Sequence, residues 1–343
     1  MKVVLPLASR TGALADVADM ARQAEESGFD GVSFSEVVSD PILHLTIAAG
    51  ATERVDLLTN IVVAFARSPM TLAVQGRALQ DYSGGRLTLG LGSQIKPHIE
   101  KRFSMPWSAP AARMAEFVSA MRAIWDSWAT GAKLDFRGDF YTHTLMTPMF
   151  TPLSEQPAPE VLLAAVGEKM TETAGRVADG ILLHPFTTEQ YVREVTLPAL
   201  ARGRTASGAP EGDPEIIASG FIVTGNTDEE LATSKAAVRR QIAFYGSTPA
   251  YRPVLDLHGL GDLGDELNRL SKTADDGKWA TMADLIDDGI LALFAAEGAP
   301  AEAANMLFGR LGDIATRYTI NNVGVQTPEL QREVAGLLQA VDS

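Results

Sequence analysis

Two rhythms alternate along the chain: short continuous apolar runs, and longer stretches with apolar residues at helical spacing. Val3–Leu7 is the first short run. Over Ala13–Ser27, Leu14, Val17, Ala18, Ala21 and Ala24 then share one helical face, and Gly28 stands where a helix-terminating glycine belongs. Gly31–Ser35 predicts a second strand. A helix from about Pro41 to Thr52 follows, with Asp40 as N-cap and proline at the first helical position. Val55–Phe65 is a nearly unbroken third run, and Ser68-Pro69 opens a helix to Tyr82. Ser83-Gly84-Gly85 turns the chain into a fourth strand, Leu87–Leu91. Four such units in succession imply parallel strands with right-handed crossovers.

The rhythm then breaks. Ser93–Pro110 reads as loop, Ala111–Trp128 as a long amphipathic helix, and Asp135–Pro152 as a hairpin or irregular excursion. It resumes with strand Val161–Val166, helix Glu168–Ala178, strand Ile181–His184, helix Glu189–Ala206, strand Ile216–Thr224 and helix Asp228–Tyr245. Residues 247–280, rich in Gly, Asp and Pro, predict a second excursion. A helix near Pro300–Phe308, strand Tyr318–Val323 and helix Pro328–Val341 make an eighth unit.

The expected fold is therefore α/β: a single (β/α)8 barrel over residues 1–343, with insertions at about 94–155 and 247–280. An open doubly wound sheet would carry a glycine-rich phosphate loop at its first βα turn. That turn is Leu7-Ala8-Ser9-Arg10-Thr11-Gly12, which lacks G-x-G-x-x-G.

Composition narrows the chemistry. With 29 Lys and Arg against 43 Asp and Glu, the net charge is −14, and no basic run exists to bind nucleic acid or an anionic membrane. No stretch approaches the length of a membrane span, and Met1–Leu7 is followed by Arg10 without the apolar core of a signal peptide. A cytoplasmic enzyme is expected. The absence of cysteine removes disulfides, thiolate metal sites and a cysteine nucleophile, and the 5 histidines show no metal-ligand spacing.

Arg67-Ser68-Pro69, the run Ser83-Gly84-Gly85-Arg86-Leu87-Thr88-Leu89-Gly90-Leu91-Gly92, and Ala174–His184 together resemble the bacterial luciferase-like monooxygenase superfamily. The resemblance spans nearly the whole chain. Gly92–Phe103 with Met105-Pro106-Trp107-Ser108 is similar to a subgroup that uses the deazaflavin coenzyme F420 and not FMN.

In a barrel, ligands sit at the C-terminal ends of the strands. This rule selects Glu36, residues 60–63, Ser93, Gln94, Val166, Gly167 and His184. The resemblance puts Glu36 beside the cofactor ring; its other reading is a solvated loop carboxylate. Relatives with a histidine one residue later use it as proton donor, and this chain has Val37 there. An Asn within an apolar strand costs free energy if buried unpaired. Asn60 is read either as satisfied by backbone or, as the resemblance implies, as part of a bulge with a cis Asn60–Ile61 peptide, continued by Val62, that backs the ring. Val166-Gly167-Glu168-Lys169-Met170 opens a helix whose free N–H groups can take a phosphate, with Gly167 allowing close approach and Lys169 adding charge. Ser93 and Gln94 can hydrogen-bond the cofactor, and His98 can bind it or act as acid or base. His184 points toward the cofactor side or is a core histidine. Phe103, Met105 and Trp107 either pack their excursion against the barrel or wall the ring from water.

The resemblance implies hydride transfer between coenzyme F420 and a small organic substrate, with a separate reductase supplying reduced cofactor and the chain forming a homodimer. The alternatives are an FMNH2-dependent two-component monooxygenase and a non-catalytic flavin-binding relative.

Overall fold

The computed structural model describes residues 1–7, 13–206, 208–321, 323–325 and 327–340. Residues 8–12 of the first βα turn and the last residue of the expected C-terminal helix lie outside them. Eight strands close a parallel barrel: β1 (Lys2–Pro6), β2 (Gly31–Phe34), β3 (Asp56–Val63), β4 (Leu87–Gly92), β5 (Glu160–Ala165), β6 (Gly180–Leu183), β7 (Glu215–Val223) and β8 (Arg317–Ile320). β8 pairs with both β7 and β1, so the ladder has no free edge.

Side-chain alternation divides each strand between two cores. Val3, Leu5, Val32, Leu57, Leu89, Val161, Leu163 and Ile181 face the helices. Val4, Leu58, Leu162, Leu182 and Ile217 fill the barrel interior. Small residues keep that interior passable. A Cβ on Gly90 would lie 2.1 Å from the Thr59 carbonyl oxygen and 2.5 Å from Leu182, and one on Gly92 would lie 2.7 Å from Ile61.

The surrounding helices include α1 (Val17–Glu26), α2 (Pro41–Ala51), α3 (Pro69–Tyr82), α4 (Pro110–Thr130), α5 (Glu168–Val177), α6 (Leu197–Arg204) and α7 (Asp228–Gly246). As the sequence implies, Asp40 caps α2 by accepting from the Ile42 N–H at 2.9 Å, ahead of Pro41. α4 packs between α3 and α5 as the barrel's own fourth helix, with Met114, Phe117, Val118, Met121 and Ile124 fully buried. The stretch expected as one insertion at 94–155 is thus two excursions flanking a barrel helix; the second holds the hairpin Phe136–Arg137 with Thr142–His143.

The excursion expected at 247–280 is helical, and it extends to Phe294: Arg252–Leu257, Gly261–Ser271, Lys278–Asp284 and Asp288–Phe294. The Gly-Asp run around 261 forms a helix because Leu267, Leu255 and Met282 bury its apolar side in a satellite core with Phe186, Phe221 and Phe294. Tertiary burial overrides the weak helix propensity of the glycines there. A short strand, Ala295–Glu297, then adds to the C-terminal half of β7. Among the described residues, no helix is long and apolar enough to cross a membrane.

Candidate active site at the barrel mouth

The C-terminal end of β3 departs from regular pairing. Asn60 pairs with Gly90 but Val62 pairs with Leu91, so one residue bulges at Ile61, and the Asn60–Ile61 peptide is cis as expected. The end of β2 holds this bulge. The Ser35 hydroxyl donates to the Asn60 carbonyl at 2.5 Å, the Glu36 N–H donates to the Ile61 carbonyl at 3.0 Å, and the Glu36 carboxylate accepts from the Val63 N–H at 2.7 Å. Ile61 lies across Gly92 in contact with both cores. Asn60 falls on the inward register with Gly90 and Leu162, half-buried at the mouth. Val62 contributes backbone only, because its side chain is buried among the helices.

Glu36 is not the free acid that the sequence suggests. It is buried, and its carboxylate accepts from Arg67 at 2.7 Å, while the other arm of the guanidinium reaches Asp40 at 2.8 Å. Burial works against the Arg67 charge, but the hydrogen bonds and Coulombic attraction of Glu36 and Asp40 outweigh it and raise its pKa. A carboxylate–guanidinium–carboxylate bridge therefore ties the β2–α2 turn to the β3–α3 turn. Sequence reading noticed Arg67 only within its Ser-Pro motif and Asp40 only as a cap. An arginine closing a long apolar run was the available signal.

After β4, Ser93 and Gln94 spend their polar groups on their own turn. The Ser93 hydroxyl donates to the Gln94 carbonyl at 3.1 Å, and the Gln94 side-chain oxygen accepts from the Ile95 N–H at 3.3 Å. Gln94 holds a left-handed φ of 58°. His98 opens the following π turn exposed, with Ile99 as its buried member, and it makes no side-chain hydrogen bond among the described residues. That placement lends no support to an acid–base role. Trp107 meets Phe65 edge-on at 5.7 Å, and Arg113 stacks over Phe65 and donates to Tyr141 and the Pro106 carbonyl, so this excursion is packed onto the barrel rim.

The β5–β6 side differs. Gly167 is the N-cap of α5 with no side-chain cap, whereas Asp40, Ser68 and Thr227 each cap their helices with an oxygen. A Cβ on Gly167 would meet nothing within 4 Å. Uncapped N–H groups facing open space form an anion cradle, and the residues present fit a phosphate. Lys169 is exposed beside it, Met170 turns its side chain into the core, and the Val166 carbonyl accepts from the Tyr191 hydroxyl at 3.2 Å.

His184 continues β6 on the inward register of Leu182. Its Nδ1 accepts from the Phe186 N–H at 3.0 Å, and its Nε2 lies 3.2 Å from the Tyr251 hydroxyl. Burial pushes the imidazole down to about 4. Tyr245 and Tyr251 enclose the ring, their centroids 4.7 and 4.5 Å away. Sequence reading missed both tyrosines because neither the end of α7, which holds Tyr245, nor the second excursion, which holds Tyr251, carries a pattern that points back to β6. The structure thus gathers Asn60, Ile61, Gly167 and His184 at the mouth, locks Glu36 below it, and leaves His98 in solvent.

The luciferase-like monooxygenase family profile matches residues 3–310. Uncharacterized protein Rv1360 of Mycobacterium tuberculosis is 53% identical over 305 residues, covering 89% of each chain. The 5,10-methylenetetrahydromethanopterin reductase of Methanolobus tindarius is 26% identical over 295 residues, covering 83% of each. Among solved structures, the coenzyme F420-dependent tetrahydromethanopterin reductase of Methanopyrus kandleri superposes with a TM-score of 0.79 at 17% identity, over 100% of this chain and 99% of that one. The chain belongs to the luciferase-like monooxygenase family.

Proposed function

We propose that this family member is an oxidoreductase that transfers hydride between coenzyme F420 and a small organic substrate. The observation that carries the reading is the uncapped N-terminus of α5 with open space at Gly167, set at the same barrel mouth as the Ile61 bulge. The α5 N–H groups and Lys169 would hold the cofactor phosphate, offsetting the acidity of the chain, and Ile61 would back the ring. Bound there, the deazaflavin supplies a carbon-centred hydride donor and acceptor. Trp107 on Phe65 would shield the rim from water, and the Glu36–Arg67–Asp40 bridge keeps the bulge in place. Relatives named as F420-dependent support the choice of cofactor, including the Methanopyrus reductase.

In this reading a separate reductase supplies reduced cofactor. Exposed Leu43 on α2 and Val74 on α3 offer an apolar face for a homodimer, which light scattering would detect. Titrating the purified protein with F420 and with FMN tests the cofactor: we expect tight binding of F420. Submicromolar binding of FMN alone would overturn the reading in favour of an FMNH2-dependent monooxygenase.

A further inference from the structure

The hydrogen bonds of His184 fix more than its own position. Its Nδ1 accepts from the Phe186 N–H, so the neutral ring carries its proton on Nε2. That proton is donated to the Tyr251 oxygen at 3.2 Å, and the tyrosine's own proton cannot also occupy this bond. His184 is the hydroxyl's only hydrogen-bond partner among the described residues, so the phenol retains a donor for something else. Because His184 lies on the inward register at the end of β6, its bond to Tyr251 ties that hydroxyl to the mouth side of the strand.

The surroundings restrict what that donor meets. Tyr245 and Phe186 form an aromatic wall around the pair, and Phe221 packs behind Tyr245. The adjoining cation is committed elsewhere: Arg252 is paired with Asp256 and Asp265. His258, whose Nε2 lies 2.8 Å from the Thr188 hydroxyl, has its pKa lowered by burial against the opposing pull of Glu194. The wall thus offers an oriented hydroxyl beside an arginine that is already paired.

We propose that Tyr251 is the hydrogen-bond and proton donor to a neutral carbonyl substrate at this mouth, with His184 as its positioning residue. The assignment rests on the oxidoreductase reading above, with the reduced deazaflavin as reductant. As the carbonyl carbon takes up hydride, its π pair moves onto oxygen, and the Tyr251 O–H bond breaks to protonate that oxygen. The phenolate left behind accepts the His184 Nε2–H and regains a proton from water. Alcohol oxidation runs the same transfers in reverse. Burial, reinforced by Tyr245, pushes the phenol up to about 12, so the proton is retained until an alkoxide, a stronger base, forms.

Cinnamaldehyde tests the proposal without turnover, because its carbonyl stretch and ultraviolet band both respond to a hydrogen-bond donor. Bound to the full-length protein it should show a lowered stretch and a red-shifted band. Tyr251→Phe should abolish both and weaken binding about five- to tenfold. His184→Gln, whose amide reaches the Nε2 position, should retain the shift, and His184→Leu should lose it. Cinnamate should bind more weakly than the aldehyde. An unshifted carbonyl, an equal shift in Tyr251→Phe or His184→Leu, or tighter binding of cinnamate would overturn the assignment. F420 binding measured on the same proteins separates the two readings: its loss with the carbonyl shift intact sinks the cofactor choice and supports the Tyr251 site.

Discussion

On the β2–β3 side of the mouth, the charged groups answer one another: Glu36 and Asp40 share Arg67, and the end of β2 hydrogen-bonds the carbonyls of the bulge. On the β5–β6 side, α5 begins without a side-chain cap, Gly167 faces open space, and Tyr251 keeps a proton to give. One half is internally satisfied and the other is left asking for a partner. In the proposed function the satisfied half would set shape and the unsatisfied half would supply chemistry, because only groups not already paired can bind a ligand at little cost. The floor of the barrel repeats the first pattern, with Arg317 drawn between Asp56, Glu160 and Glu215.

The contrast breaks most visibly at Arg67. Arg67→Met should cost about 3–5 kcal/mol of unfolding free energy, since it strands the buried Glu36 carboxylate. Urea denaturation reads this, and adding Glu36→Gln should recover part of the loss. Equal stability of the single and double variants would show that the pair is not coupled. Next comes Gly90→Ala, whose methyl would press on the Thr59 carbonyl. Backbone cannot yield there, so we expect a loss of about 1–3 kcal/mol.

A smaller effect separates the halves by pH. His184 titrates near 4 in the folded protein and near 6.5 when unfolded, so between those values the unfolded chain binds more protons. Its contribution is complete above pH 6.5 and declines as pH falls toward 4, by at most about 2 kcal/mol at pH 5. His184→Gln should flatten that part of the stability profile, and an unchanged slope would refute the assignment. The least costly change is Gly167→Ala. At φ −75° and with open space around it, it should move stability by less than about 0.5 kcal/mol while weakening F420 binding severalfold. Unaltered affinity would remove α5 from the cofactor site.

Much of this was legible in the chain. Strand and helix order, the Asp40 cap, the barrel and the bulge at Asn60–Ile61 follow from periodicity, from local turn chemistry, or from motifs that resemble a family. The second excursion was expected, but its helices were not, because a run such as Gly261–Asp265 has poor helix propensity, and burial against Leu255 and Met282 makes it helical. His98 looked useful beside a strand end, yet the π turn buries Ile99 and leaves the histidine in solvent.

The sequence by itself determined the order of the barrel's strands and helices and where the mouth lies, because those depend on neighbours within a few residues and on a strict alternation of faces. Only the tertiary structure decided which groups at that mouth are spent and which are free. Glu36 meets Arg67 across 31 residues and His184 meets Tyr251 across 67. No local propensity encodes such pairings, and barrel closure and a helical excursion had to bring them within hydrogen-bonding distance.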